Sequence, residues 1–239
     1  MKHLLTLLCV AIAITGHAKS SEIAPFHTII AGPHIEVILN PGEQEAIDIE
    51  SYDVSENEVV VEVKGNTLHV YLRDARNLEK QEKHKGRGYK YSRGVYQDSK
   101  VTATITYRNL QKLVTKGEEK VTVNGTLHCP SFKYKSYGEQ KVVFENVKVS
   151  NFRAKLYGST KLEIKNGQAE LQRYKLYGEH DIDTRNVISA IVRTANYGEV
   201  DMEVNSDLVA LTSFGEAEIK TAGRTKIRKG IVIGETRIR

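Results

Sequence analysis

Tyr137-Gly138-Glu139, Tyr157-Gly158-Ser159, Tyr177-Gly178-Glu179, Tyr197-Gly198-Glu199 and Phe214-Gly215-Glu216 mark the second half of this chain at nearly even intervals. Gly117 precedes them and Gly234 follows, and the steps between the seven glycines are 21, 20, 20, 20, 17 and 19 residues. A self-similar period of this size is the signature of a repeat architecture. Alignment on the glycines produces columns. Four residues after each glycine stand Val121, Val142, Leu162, Ile182, Met202 and Ile219; two further on stand Val123, Phe144, Ile164, Thr184, Val204 and Thr221. Charged residues lie between them, as in Glu139 and Lys141 or Asp181 and Asp183. This is the period-two alternation of a strand with one buried face. A second alternating run precedes each glycine. In it Phe132, Phe152 and Val192 are expected inside, and Lys133, Arg153, Arg173 and Arg193 outside.

About 20 residues is too short for a helical pair. The columns recur at twenty rather than ten, which disfavours a meander of hairpins. The expected fold is all-β, a parallel β-helix or solenoid of about 20-residue coils. One coil cannot bury its inner face alone, so neighbours must stack. At about 4.8 Å per coil, six steps would span roughly 29 Å. Asn146, Asn166, Asn186 and then Ser206 sit eight residues after their glycines, where asparagine is expected to accept left-handed backbone or bond to adjacent rungs.

Upstream, Met1–Ala18 reads as a secretory signal peptide. It has a short basic start at Lys2-His3, an apolar run from Leu4 to Ile14 too short for a permanent span, and small residues Gly16 and Ala18 before a cut. Residues 19–239 are then read as one β-solenoid domain. Cys9 lies within the apolar run without the small residue a lipoprotein signal places before its cysteine. Cleavage leaves Cys129 alone, which excludes an intrachain disulfide and a cysteine zinc site. The formal charge is +5, from 35 basic and 30 acidic residues. That excess favours acidic surfaces or polysaccharides but falls short of a nucleic-acid footprint. No second apolar run reaches membrane-spanning length.

Residues Ile23 to Asp74 read as longer strands, with turns at Gly32-Pro33, Asn40-Pro41-Gly42 and Gly65-Asn66, the last a hairpin signal. They are expected to form an N-terminal β cap or irregular first coils. Residues 76–99 break the pattern: 79–88 are charged and almost free of apolar residues, and Tyr89, Tyr91 and Tyr96 follow. This stretch reads as a solvated loop insertion.

On these features the chain resembles the head GIN domain family of auto-transporter adhesins, β-rich secreted proteins of Bacteroidetes-type bacteria. The resemblance rests on Phe26 to Leu39 with Ile47-Asp48-Ile49, on Val59 to Leu72 followed by Val101 to Leu113, and on the glycine rungs to the C-terminus. It covers nearly all of the chain after the signal peptide. The resemblance implies a right-handed β-helix-like fold, in the periplasm or at the surface of a Gram-negative cell. It implies no catalytic residue. Where the family tends to carry Ser-Gly-Ser at the rung turn, this chain carries Tyr-Gly-Glu.

Three constellations merit attention. The first is the outward stripe Tyr137, Tyr157, Tyr177 and Tyr197 with Lys135, Lys155 and Lys175, flanked by Lys133 and the arginines. Aromatic rings can underlie sugar rings, and cations suit uronate or sulfate groups. The same stripe is equally a solvated strand face whose tyrosines brace adjacent rungs. The second is the acidic ladder Glu179, Asp181, Asp183, Glu199, Asp201, Glu203, Glu216 and Glu218. Its carboxylates would repel unless Ca²⁺ or neighbours such as Lys161 and Arg185 relieve them, and a carboxylate pair could serve glycoside hydrolysis. The Gly-Gly-x-Gly-x-Asp signature of calcium β-rolls is missing. The third is histidine: His27, His34, His69, His84, His128 and His180 include no pair with zinc-site spacing. The sequence therefore predicts no cofactor, no metal and no catalytic nucleophile. The expected function is a non-enzymatic envelope protein, an adhesin or polysaccharide-binding module with an acidic polysaccharide or cell-surface protein as partner. The alternative is a polysaccharide lyase or glycoside hydrolase on a β-helix, which the segregation of bases before the glycines from acids after them disfavours. Self-association through exposed sheet edges is a further expectation.

Overall fold

The computed structural model describes residues 21–51, 54–86, 89–97 and 99–239. The expected signal peptide, with Cys9, lies outside them. The described chain is all-β, with one short 3-10 turn at Glu56–Glu58 and no α-helix. In order the strands are β1 (Ser21–Glu22), β2 (Thr28–Ala31), β3 (Ile35–Pro41), β4 (Ala46–Ser51), β5 (Val59–Lys64), β6 (Thr67–Leu72), β7 (Gln81–Gly86), β8 (Tyr89–Gly94), β9 (Val101–Tyr107), β10 (Lys112–Lys116), β11 (Val121–Ile164), β12 (Gly167–Phe214), β13 (Glu216–Thr221), β14 (Lys226–Ile233) and β15 (Thr236–Ile238). Thirteen join in one curled sheet, and β7 and β8 form a separate two-stranded one.

The 44 residues of β11 and 48 of β12 do not run straight. Residue 147 of β11 pairs in parallel with 167 of β12, and the offset of twenty holds through Glu163 and Asp183. β10 pairs in parallel with β11 (Lys112 with Lys133), and β12 with β13 (Glu199 with Glu216). The chain thus passes the same point in the same direction about every twenty residues. The glycines show why this register is obligatory. Gly138, Gly158, Gly178 and Gly198 have φ of 116°, 99°, 117° and 154°. A Cβ added to each would lie 2.1–2.5 Å from the carbonyl oxygen of the glycine one rung below. Only glycine supplies that φ and that closeness.

Between glycines the alternation holds. Val142, Phe144, Phe152, Leu162, Leu176, Ile182 and Val192 are buried to 1% exposure or less. The aromatics Phe132, Phe144 and Phe152 meet at centroid distances of 5.5–5.8 Å. The asparagine column behaves differently from its sequence reading. Among the described residues His34 is the only non-glycine with positive φ, so Asn146, Asn166 and Asn186 keep ordinary backbone. Asn146 does reach the rung below, donating to Thr126 Oγ1 at 2.8 Å.

The N-terminal strands are first rungs and cap together. β2 and β3 lie parallel under β10 and the start of β11, and β6 and β9 lie parallel under β2 and β3. Antiparallel partners then cover the outer edge: β5 on β6 and β4 on β9. The outermost strands at that end are then β5 and the two-residue β1. Gly65, with φ 59°, turns the β5–β6 hairpin as the sequence signalled. Residues 76–99 contain the β7–β8 hairpin rather than an irregular loop throughout. The segment is tied down at its base. The Tyr96 hydroxyl donates to Glu58 at 2.8 Å, the Tyr96 amide to Glu79, and Lys116 Nζ to Asn77 at 2.6 Å. At the other end β14 pairs only with β12, and β15 only with β13.

Candidate binding face

Parity along the strand before each glycine decides the site. Phe132, Tyr134 and Ser136 are buried, so Lys133, Lys135 and Tyr137 face outward, and the same assignment repeats one rung later. The parallel register then stacks like on like: Arg153 beside Arg173, Lys155 beside Lys175, Tyr157 beside Tyr177. The expected stripe therefore exists, as three parallel columns.

In the outermost column, Tyr137, Tyr157, Tyr177 and Tyr197 stack at 4.9 Å between centroids, with planes within 9° of parallel. Phe214 extends the stack at 5.3 Å from Tyr197. The spacing is that of the strands, so the ladder follows directly from in-register repetition. Each interior ring is covered on both faces by its neighbours. A sugar ring cannot lie flat on Tyr157 or Tyr177; what they offer outward is ring edge. At the lower end, Tyr137 lines a cavity of about 540 Å³ with Lys112, Lys135, Val114 and Leu78. Lys155 Nζ stands 5.0 Å from the Tyr157 centroid and 5.5 Å from that of Tyr177, at the open edges of the two stacked rings. Its contact with the Tyr157 hydroxyl raises its pKa above the ordinary lysine value.

The flanking columns are Lys135, Lys155 and Lys175, and Lys133, Arg153, Arg173 and Arg193. None of these seven cations is ion-paired with a described carboxylate. Half of the acidic ladder beyond the glycines, Asp181, Asp183, Glu203 and Glu218, is paired with bases of its own side. Lys161 pairs with Asp181 at 2.7 Å. Arg185 bridges Asp183 and Glu203 at 2.8 Å each, and Lys220 approaches Glu203 at 3.5 Å. The Arg185 side chain holds the Asp183 carboxyl below its ordinary pKa. Repulsion between rungs is thus relieved by lysine and arginine, and among the described residues no group of three or more metal-ligating side chains converges.

The interior carries polar residues that the column reading passed over. Gln140 accepts from Thr115 at 2.6 Å, Ser136 at 2.7 Å and Tyr134 at 3.1 Å, all buried. Gln172 takes the place of Phe132 and Phe152 on its rung; it donates to Ser189 at 2.6 Å and accepts from Tyr174. Burial pushes the Tyr134 hydroxyl up to about 12. His180 is buried and neither ring nitrogen finds a hydrogen-bond partner. Burial lowers its pKa to about 4, with the nearby Tyr177 backbone opposing weakly. Two residues past each glycine, Gln140, Thr160, His180 and Val200 form one inward column. Its signal was available in the alternation but masked by its polar members.

Among the described residues, the histidines do not assemble into a centre. His34 lies 3.5 Å from Glu79 and 3.8 Å from Glu119, while His180 stands alone inside. His84 falls among residues whose side chains are not described. Cys129 is buried, which raises its pKa, in keeping with a small core residue.

The overall shape is shared with solved proteins. A crystal structure of a "putative adhesin" from Bacteroides fragilis NCTC 9343 superposes with a TM-score of 0.71 at 18% identity, covering 92% of this chain and 94% of that one. A second "putative adhesin", from Parabacteroides distasonis ATCC 8503, superposes at 0.62 with 15% identity over 92% and 94%. A "putative lipid binding protein" from the same organism gives 0.55 at 16% identity over 92% and 95%. At these identities the likeness is one of fold. No curated protein sequence matches. The family model described as "Putative auto-transporter adhesin, head GIN domain" matches residues 25–225, and the chain belongs to that family.

Proposed function

We propose that this chain is a non-enzymatic adhesion module of the bacterial envelope, exported by its N-terminal signal peptide, whose rungs wind as a β-solenoid to present one long basic and aromatic face to acidic polysaccharide. The observation that carries this reading is the set of seven outward cations with no ion pair to a described carboxylate, in register beside the tyrosine column. A protein that exposes unpaired like charges at about 4.8 Å intervals carries a cost from their mutual repulsion. A polyanion laid along the columns removes it. The aromatic stack braces adjacent strands, and Lys155 is held at its edge by the Tyr157 hydroxyl.

The test is binding of residues 19–239 to immobilised acidic and neutral polysaccharides at low and high salt. The expected result is selective, salt-sensitive retention on the acidic polymers. Replacement of Lys135, Lys155 and Lys175 together by Gln should weaken it. Tyr157→Ala/Tyr177→Ala should weaken it as well, by releasing Lys155 from its position. Equal retention on neutral polymers, or indifference to the triple lysine replacement, would remove the proposed face.

A further inference from the structure

The lysine column ends abruptly. After Lys135, Lys155 and Lys175, the next two rungs have Ala195 and Thr212 in that place, and on the last rung a bulge sets Gly230 and Ile231 opposite Thr212. The side chains shorten while the surrounding ones remain long, and a hollow of about 410 Å³ opens in the face. This is within the range of small-ligand pockets, about 300–1,000 Å³. Its rim is Arg173, Lys175, Arg193, Arg228 and Lys229, and no carboxylate lines it. None of the five cations is ion-paired with a described carboxylate. The register places Arg228 on this face: it lies beside Ala210, which holds Arg193's place on the next rung, so Arg228 stands two rungs beyond Arg193. Two residues along the same strands, Tyr197 and Phe214 close the aromatic column next to the hollow.

We propose that this hollow is an oxyanion subsite that seats a charged substituent of an acidic glycan, a sulfate ester or a uronate carboxylate. The inference deepens the reading of the face as a polysaccharide-binding surface and rests on it. Three guanidinium groups around a concave floor suit planar or tetrahedral oxyanions, because each can donate two parallel N–H bonds to a pair of oxygens. The lower part of the face offers a ridge of lysines along which a polymer can slide. The hollow offers a place where one ring can enter and stop, so it fixes the register of the chain.

The test separates shape from charge. Fluorescence titration of residues 19–239 uses four probes: a heparin tetrasaccharide, a tetragalacturonate, a neutral maltotetraose and a single-stranded DNA decamer. One or both acidic tetrasaccharides should bind, identifying sulfate or carboxylate as the preferred group, and the neutral one should not. Arg193→Gln/Arg228→Gln should weaken that binding about ten-fold or more, the loss of two charge-assisted contacts. Ala195→Lys continues the lysine column and fills the hollow. It should weaken binding although it adds a positive charge. All these positions are at the surface, and unchanged thermal melting confirms that the variants fold. Unchanged or tighter binding by Ala195→Lys overturns the subsite, as does indifference to Arg193→Gln/Arg228→Gln or equally tight binding of the DNA. If acidic glycans still bind those variants but not the triple lysine replacement, the subsite falls and the broader face stands. If no acidic glycan binds at all, both fall.

Discussion

At Gly158 the backbone has φ 99°, and a methyl group would sit 2.5 Å from the Gly138 carbonyl oxygen. Gly158→Ala therefore meets both a strained conformation and a backbone clash that no rotamer relieves. Chemical denaturation should show a loss of at least about 2 kcal/mol, far more than an alanine at the open hairpin position Gly65. His180 makes the opposite case. Its pKa inside the protein is about 4, against 6.5 for the free side chain. Below pH 6.5 the unfolded chain takes up the proton first, so stability is full above that pH and declines as pH falls towards 4. The decline attributable to this residue is up to about 3 kcal/mol. His180→Val, which copies Val200 in the same column, should flatten the pH dependence of the melting temperature between 6.5 and 4. The glycines were legible because their requirement is absolute and repeats. His180, Gln172 and Gln140 were not, because a polar residue in an alternating run reads as an outward one. Only the neighbouring rung reveals that Gln140 has Thr115, Tyr134 and Ser136 to satisfy it.

At the scale of the element, the aromatic column is a stabilising device in its own right. Each stacked pair contributes about 0.5–1.5 kcal/mol beyond burial. Tyr157 has two such contacts and Tyr137 one. Tyr157→Ala should thus cost about twice the stacking loss of Tyr137→Ala in urea unfolding, and the double mutant should fall short of additivity because the two share a contact. The outward direction of the tyrosines was readable from strand parity. That their faces are closed to ligand was not, since it depends on the distance between rungs rather than on any one strand. The 76–99 insertion shows a different limit. Its charged composition hides the β7–β8 hairpin, whose pairing is local and antiparallel and shares nothing with the glycine period.

At the scale of the molecule, every rung between Gly117 and Gly234 is bonded to its neighbours with nearly the same offset. Stability should then be close to a sum of rung and interface contributions. Removal of residues 159–178 joins Gly158 to Glu179 without disturbing register, because it takes out one whole period. That protein should fold, with strand-type circular dichroism and a lower melting temperature. Removal of only ten residues from the same place should abolish cooperative unfolding, because it takes out half a coil and no longer stacks the glycine of one rung on that of the next. The distribution of charge is also a property of the whole. Asp181, Asp183 and Glu203 beyond the glycines are met by Lys161, Arg185 and Lys220, while the lysines and arginines of the two flanking columns have no ion pair with a described carboxylate.

The central claim is that this unpartnered face is where ligand is held. The most direct measurement is NMR shift mapping of the arginine Nε–H signals and the tyrosine ring signals as an acidic tetrasaccharide is added. Shifts confined to Arg153, Arg173, Arg193 and Arg228 and to the rings from Tyr157 to Tyr197, with Arg185 and Arg237 unmoved, are the predicted result. Shifts spread evenly over all arginines, or centred on the acidic side around Arg185, would contradict the account.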